Sequence, residues 1–253
     1  MRNVEISYDS KAVVHNVNLK IKYGEILGVV GESGSGKSTL IKAAIGLLGK
    51  DGSINKGNVF YKGNNLLNMK SEELRKIRGP ELGMIFQNCE AALSPTRTIG
   101  SQLKEIMKQH TDMDEKEIIN MANAFFQKMN LDGSRILKSY PFELSGGMNQ
   151  RVGIVMAMML KPDLLFADEP TSALDIISQA QVVSELKKLR DEFGTAIVIV
   201  THNIGIVSYM ADKVAVMNQG NLIEYGETKD VINNPKQAYT KKLISAVPRI
   251  RRD

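Results

Sequence analysis

Gly31-Glu32-Ser33-Gly34-Ser35-Gly36-Lys37-Ser38-Thr39 constrains this chain more than any other stretch. A short apolar run, Ile26 to Val30, precedes it, and a helix-like run, Leu40 to Leu48, follows. Strand, glycine-rich loop and helix in that order are the context a phosphate-binding loop requires. The glycines let the backbone curl so that successive N–H groups point at a polyphosphate. The helix that begins near Lys37 adds its positive N-terminal end. Lys37 can reach the β- and γ-phosphates, and the Ser38 hydroxyl can ligate Mg²⁺. A nucleotide-binding α/β domain is therefore expected.

The remaining composition narrows the class. At 253 residues the chain can bury a large core, as one domain with a subdomain. Its hydrophobic share of 43% and charged share of 24% are ordinary for a globular protein. No apolar run approaches the length of a membrane span. The polar N-terminus turns strand-like at once, so no signal peptide is expected. The single cysteine, Cys89, excludes an internal disulfide framework and a multi-cysteine metal site, and suits a reducing cytosol. The net charge of +5 includes Arg249, Arg251 and Arg252 near the end of the chain, so it predicts no nucleic-acid face. A solvated terminus is the plainer reading of that basic tail, and contact with an anionic membrane surface is the alternative.

Alternation predicts strands at Val4–Tyr8 and at Val17–Lys22, both joining Ile26–Val30 by hairpin-type pairing. Gly49 is expected to stop the helix Leu40–Leu48. A strand at Asn58–Tyr61 and a helix capped by Ser71 follow. The strand Leu82–Phe86 delivers Gln87. From about residue 88 to 160 no strand is expected. Ile99–Met107 looks helical, Asp114 with Glu117 makes a capping box for a helix to Met129, and Ser145 precedes a methionine-rich helix to Leu160. These methionines suit adaptable packing. The chain then returns to α/β character: strand Asp163–Ala167, helix Ser178–Phe193, strand Thr195–Val200, a hairpin of Lys213–Met217 with Leu222–Tyr225, and a short helical tail.

In open α/β sheets ligands sit beyond the carboxyl ends of strands. Gly31, Gln87, Asp168 and His202 all fall at such ends, so four segments are expected to converge. A strand-end Asp-Glu pair alone would read as a surface turn, and a lone histidine as incidental. Beside a phosphate loop, Asp168 suits Mg²⁺ coordination and Glu169 suits polarising a water for attack on the γ-phosphate. His202 can hydrogen-bond the γ-phosphate and that water, and Gln87 can bind the ion or orient water. Leu144-Ser145-Gly146-Gly147-Met148 is a second glycine-rich helix entrance, hence a second anion site, and raises the idea of a nucleotide shared across a dimer.

Together, GESGSGKST, Gln87, LSGGMNQR (144–151), LLFADEPTSALD (164–175) and THN (201–203) resemble the ATP-binding subunit of an ABC transporter, over essentially the whole chain. The resemblance implies an α/β phosphate-loop ATPase core with a mixed, mainly parallel sheet, an N-terminal antiparallel β element and an inserted helical subdomain. On that pattern a single domain spans 1–253, with core at about 1–87 and 161–233, helical subdomain at about 88–160 and tail at 234–253. It also implies ATP and Mg²⁺ as ligands. Tyr8 would stack on adenine, Gly31, Ser33 and Gly34 to Thr39 would cradle the phosphates, and Ser38, Gln87 and Asp168 would serve the metal. Ser145, Gly146 and Gly147 would contact the γ-phosphate held by a partner ATPase, and Asp175 would bridge the two ATPases. Glu169, His202 and Gln87 would complete hydrolysis. The implied partners are a second, related ATPase in a heterodimer, two membrane permeases and a solute-binding protein, with no nucleic acid, at the cytoplasmic face of the membrane.

Tyr140-Pro141-Phe142-Glu143 before the signature, the string from Leu174 to Gln181, and Asn234-Pro235 with Ala238 to Pro248 resemble peptide and nickel importers, with a slight lean to metal. The alternatives are a soluble ABC ATPase of DNA repair or translation, and a regulatory nucleotide-binding module. Three departures stand out: Asn203 where many members have Asp, Asn149 where a basic residue is frequent, and an unusual segment from Asn88 to Pro95.

Overall fold

The computed structural model describes residues 1–172 and 174–246. The basic tail with Arg249, Arg251 and Arg252 lies outside the described residues, as do Val247 and Pro248. Among the described residues the strands are β1 Arg2–Tyr8, β2 Lys11–Val17, β3 Ile26–Val30, β4 Gly52–Asn58, β5 Phe60–Tyr61, β6 Asn64–Asn65, β7 Leu82–Ile85, β8 Leu164–Asp168, β9 Ala196–Thr201, β10 Lys213–Asn218 and β11 Asn221–Glu227. Among the described residues two compact units emerge, one holding the chain up to residue 75 and again from 196 onward, and one from 76–195.

The sheet of the first unit runs in the order β4-β1-β2-β11-β10-β3-β9. β4, β1 and β2 pair antiparallel, and β10, β3 and β9 pair parallel. Every residue of β3 and β9 is buried, so both read as unbroken apolar runs rather than alternations. The short helix Ile204–Met210 packs on this sheet through Val207, in a cluster with Val30, Val214 and Val216.

Four expectations needed correction. β2 spans Lys11–Val17, not Val17–Lys22, and neither it nor β1 pairs with β3. A two-residue turn, Asp9-Ser10, links β1 to β2 with both residues at positive φ, a tight hairpin geometry that Asp-Ser does not advertise. Residues 18–22 belong to no strand; Leu19 exchanges bonds with Met1 instead. The helix after the loop is Lys37–Ala44 and stops at Gly46, not Gly49. Gly46 is left-handed, and the Leu47 N–H returns 2.7 Å to the Lys42 carbonyl, so the first glycine able to close the helix does so. Strand character near residue 58 is split between β4 and the short β5. The helix expected at Ser178 starts two residues earlier, at Ile176, because Asp175 caps it.

In the second unit β7 and β8 pair parallel, and the other elements are helical. Helix Ile99–His110 precedes Glu115–Lys128, whose Asp114–Glu117 capping box is formed on both sides. Helix Gly146–Met158 buries Val152, Ile154, Val155 and Met158. Lys128 bridges to Glu192 near the end of helix Ile176–Phe193. Among the described residues no helix is long and apolar enough to cross a membrane.

Candidate nucleotide site

The sequence-predicted residues fall into two groups, each held by one unit. In the first, Val30 of β3 lies in register with Thr201 of β9. Gly31 and His202 therefore leave the carboxyl ends of adjacent parallel strands. Gly31 to Gly36 then curl into helix Lys37–Ala44. Lys37, only 6% exposed, folds back over the loop and donates to the Gly31 and Glu32 carbonyls at 2.8 Å each. Its ammonium thus stands at the loop with its chain packed away from water.

The loop is braced by the hairpin of β10 and β11. The Gly220 N–H donates 3.1 Å to the Ser35 carbonyl. A Cβ on Gly31 would meet the Met217 carbonyl oxygen at 2.1 Å, so a side chain there would force the backbone of the β10–β11 hairpin to shift. Gly36 has φ +93, with Val14 and Val13 closing its Cβ side at 3.0 and 3.1 Å. Ser33 and Gly34 are on the exposed side. The donor set fits a polyphosphate: curled backbone amides, a helix N-terminus and one ammonium.

Tyr8 ends β1 half-buried, with its ring where a Cβ on Gly52 would sit. His202 is exposed. Asn203 is the N-cap of helix Ile204–Met210; its side chain accepts the Gly205 N–H at 2.9 Å. The departure at this position keeps that capping function, for which Asn and Asp are equally suited.

In the second unit Ile85 of β7 lies in register with Ala167 of β8. Gln87, exposed, and the Asp168-Glu169 pair therefore emerge from neighbouring strand ends. Asp168 is 3% exposed and Glu169 9%. Glu169 has φ +47, a left-handed conformation that costs a non-glycine residue about 1–2 kcal/mol. Strain of this kind persists where the surroundings over-determine it, and functional sites are where it gathers. Beyond the pair, Gln179 holds the following turn by donating to the Thr171 and Leu174 carbonyls at 3.2 and 3.0 Å. Asp175 accepts from Ile177 and Ser178 amides, and the Ser178 hydroxyl bonds its other oxygen at 2.7 Å. The Ser178 hydroxyl and the amides hold the Asp175 carboxyl below its usual range.

Ser145 caps helix Gly146–Met158 by accepting the Met148 N–H at 3.3 Å. Ser145 and Gly146 are exposed, and a Cβ on Gly146 would meet nothing within 4 Å. A ligand can approach that helix end without displacing protein. Asn149 is 1% exposed and donates 2.9 Å to the Pro141 carbonyl, tying the segment before the signature to the helix after it. In the sequence Asn149 stands out only as a departure and Gln102 not at all, yet the Gln102 side chain staples Ser94 and Arg97. Helical spacing marks neither residue as a bracket for a loop.

Mg²⁺ takes hard oxygen donors and few protein ligands, leaving the rest to water and phosphate. The Ser38 hydroxyl and the Asp168 carboxylate are of that kind. Among the described residues no group of three His, Cys, Asp or Glu could form a dedicated metal cage.

The sequence profile described as "ABC transporter" matches residues 14–172. The chain belongs to the ABC transporter ATPase family. A second profile, "Oligopeptide/dipeptide transporter, C-terminal region", matches residues 223–253 of this ABC ATPase. It is 38% identical to the oligopeptide transport ATP-binding protein AmiE of Streptococcus pneumoniae, over 100% of this chain and 73% of that protein. It is 42% identical to OppD of Salmonella typhimurium, also an oligopeptide transport ATP-binding protein, over 94% and 71%. It is 39% identical to the metal-staphylopine import ATP-binding protein CntD of Staphylococcus aureus, over 96% and 90%. Among solved structures, the dimeric ATP-binding cassette MJ0796 bound to ADP and Pi matches with TM-score 0.81 and 29% identity, over 90% of this chain and 97% of that one. The ABC ATPase is thus an ATP-hydrolysing transport subunit, and the reading as a soluble repair or translation factor is not favoured.

Proposed function

We propose that this ABC ATPase powers import of a small peptide or a metal chelate through separate membrane permeases. The observation that carries the reading is the pairing, in one chain, of the cassette match at 14–172 with the oligopeptide/dipeptide C-terminal match at 223–253. AmiE and OppD are named for oligopeptides and CntD for a metal chelate, which supports both cargo classes. Nickel stays within the metal class.

In this reading Gly31, Ser33 and Gly34–Thr39 bind the phosphates of ATP, and Tyr8 stacks on the adenine. Ser38, Gln87 and Asp168 hold Mg²⁺, which when bound neutralises charge on the phosphates. Glu169 accepts a proton from the attacking water, and His202 hydrogen-bonds the γ-phosphate. Ser145, Gly146 and Gly147 reach the ATP of a second, related ATPase, and Asp175 bridges the two. That MJ0796 is dimeric supports a paired arrangement. A solute-binding protein delivers cargo on the far side, and the ATPase sits peripherally at the cytoplasmic face.

The test is ATP hydrolysis by the complex purified with its permeases and binding protein. Peptides, nickel and metal chelates are added in turn. Stimulation by one class identifies the cargo; no stimulation by any, with the ATPase found only in soluble fractions bound to nucleic acid, overturns the reading.

A further inference from the structure

The helix Ala238–Ser245, within the C-terminal matched region, touches the phosphate loop directly. The Glu32 N–H donates 2.9 Å to the Tyr239 phenol oxygen, across 207 positions of sequence. The Lys242 ammonium faces the Glu32 carboxylate at 3.6 Å, an exposed pair of small weight. The helix itself is fixed at both ends of this contact. Its entry is held by Glu224 of β11, which accepts the Lys236 and Gln237 N–H groups at 2.8 and 3.1 Å. The Tyr239 ring, Leu243 and Ile244 pack on the core cluster that includes Val30, the last residue before the loop.

We propose that helix Ala238–Ser245 is a strap on the phosphate loop and that Tyr239 is a positioning residue for ATP binding. The inference rests on the reading that Gly31–Thr39 binds the phosphates of ATP. Glu32 has the second amide of the loop; fixing it orients the peptide units that follow, and so the amides that meet phosphate. A group that orders the loop beforehand lowers the ordering cost of binding. Coupling of this kind is reciprocal: ATP on the loop must tighten the strap. Whatever engages helix Ala238–Ser245 can thereby tune ATP affinity without touching the nucleotide.

The test uses the full chain. Tyr239→Phe keeps the ring packing and removes the acceptor. ATP affinity by calorimetry should fall about three- to tenfold, the net worth of the one hydrogen bond that orders the loop. Hydrogen exchange supplies a readout that packing alone does not move. In the parent, ATP should slow exchange across 238–245, and in Tyr239→Phe that slowing should vanish. Lys37→Ala separates the two readings. If Lys37→Ala binds ATP undiminished, the phosphate-loop reading fails. If it loses ATP while Tyr239→Phe binds within twofold of the parent, the strap is overturned. Should Tyr239→Phe lose stability, the parent still decides: no ATP-dependent slowing at 238–245 overturns the proposal.

Discussion

Lys213 and Glu25 form an ion pair at 2.8 Å where the strand leading to the phosphate loop begins. Their side chains are only 13% and 10% exposed, and the Lys22 N–H donates to the same carboxylate at 2.7 Å. Burial pushes the Glu25 carboxyl up, but the Lys213 hydrogen bond, the Lys22 amide and both charges outweigh it, and the net displacement is downward. The bond to Glu25 raises Lys213. A lowered carboxyl adds stability above its ordinary range that is lost as pH falls through its folded value. A raised ammonium adds stability below its ordinary range that is lost as pH rises through its folded value. Urea midpoints of Lys213→Met should therefore lie furthest below the parent near neutral pH, with the gap closing on both sides.

Glu169 carries the second prediction. Glu169→Gln keeps the shape and the left-handed backbone but removes the proton acceptor. Turnover in the assembled complex should fall at least about hundredfold, while ATP affinity stays near the parent. Normal turnover would remove Glu169 from the role of base.

The loop glycines separate strain from collision. Gly34 has φ +78 and nothing within 4 Å of its Cβ position, whereas Gly31 faces a carbonyl at 2.1 Å. Gly34→Ala should cost about 1–2 kcal/mol from the left-handed backbone alone and weaken ATP binding. Gly31→Ala should cost more, because the β10–β11 hairpin must move. Chemical denaturation of the two variants side by side checks the order; equal losses would contradict it.

At Asn203 the cap predicts a split between substitutions. Asn203→Asp should leave stability within a few tenths of a kcal/mol, and Asn203→Ala should cost about 1 kcal/mol. A parent-like melting temperature for the alanine variant would show that the Gly205 and Ile206 amides do not need it.

The parts legible in the sequence are those with local patterning. The apolar run into Gly31, the run into Asp168-Glu169 and the Asp114–Glu117 box all lie within a few residues of the feature they specify, and the structure places them as read. The missed parts depend on distant chain. Alternation through Val17, Leu19 and Ile21 imitates a strand, yet β2 lies upstream because its partners, β1 and β11, set the ladder. Asn149 looks like an oddity until Pro141 supplies its acceptor. The bond from Glu32 to Tyr239 joins segments with no shared period, so no window of sequence contains it.

The junction at Gly220 has a consequence for the order in which the chain is made. Its carbonyl accepts the His15 N–H at 2.9 Å and its amide reaches Ser35 at 3.1 Å. Residue 220 therefore closes a frame begun in the first forty residues. On the ribosome the phosphate loop emerges long before its brace, and a nascent chain cut short of the β10–β11 turn carries the whole motif without the geometry that makes it a grip.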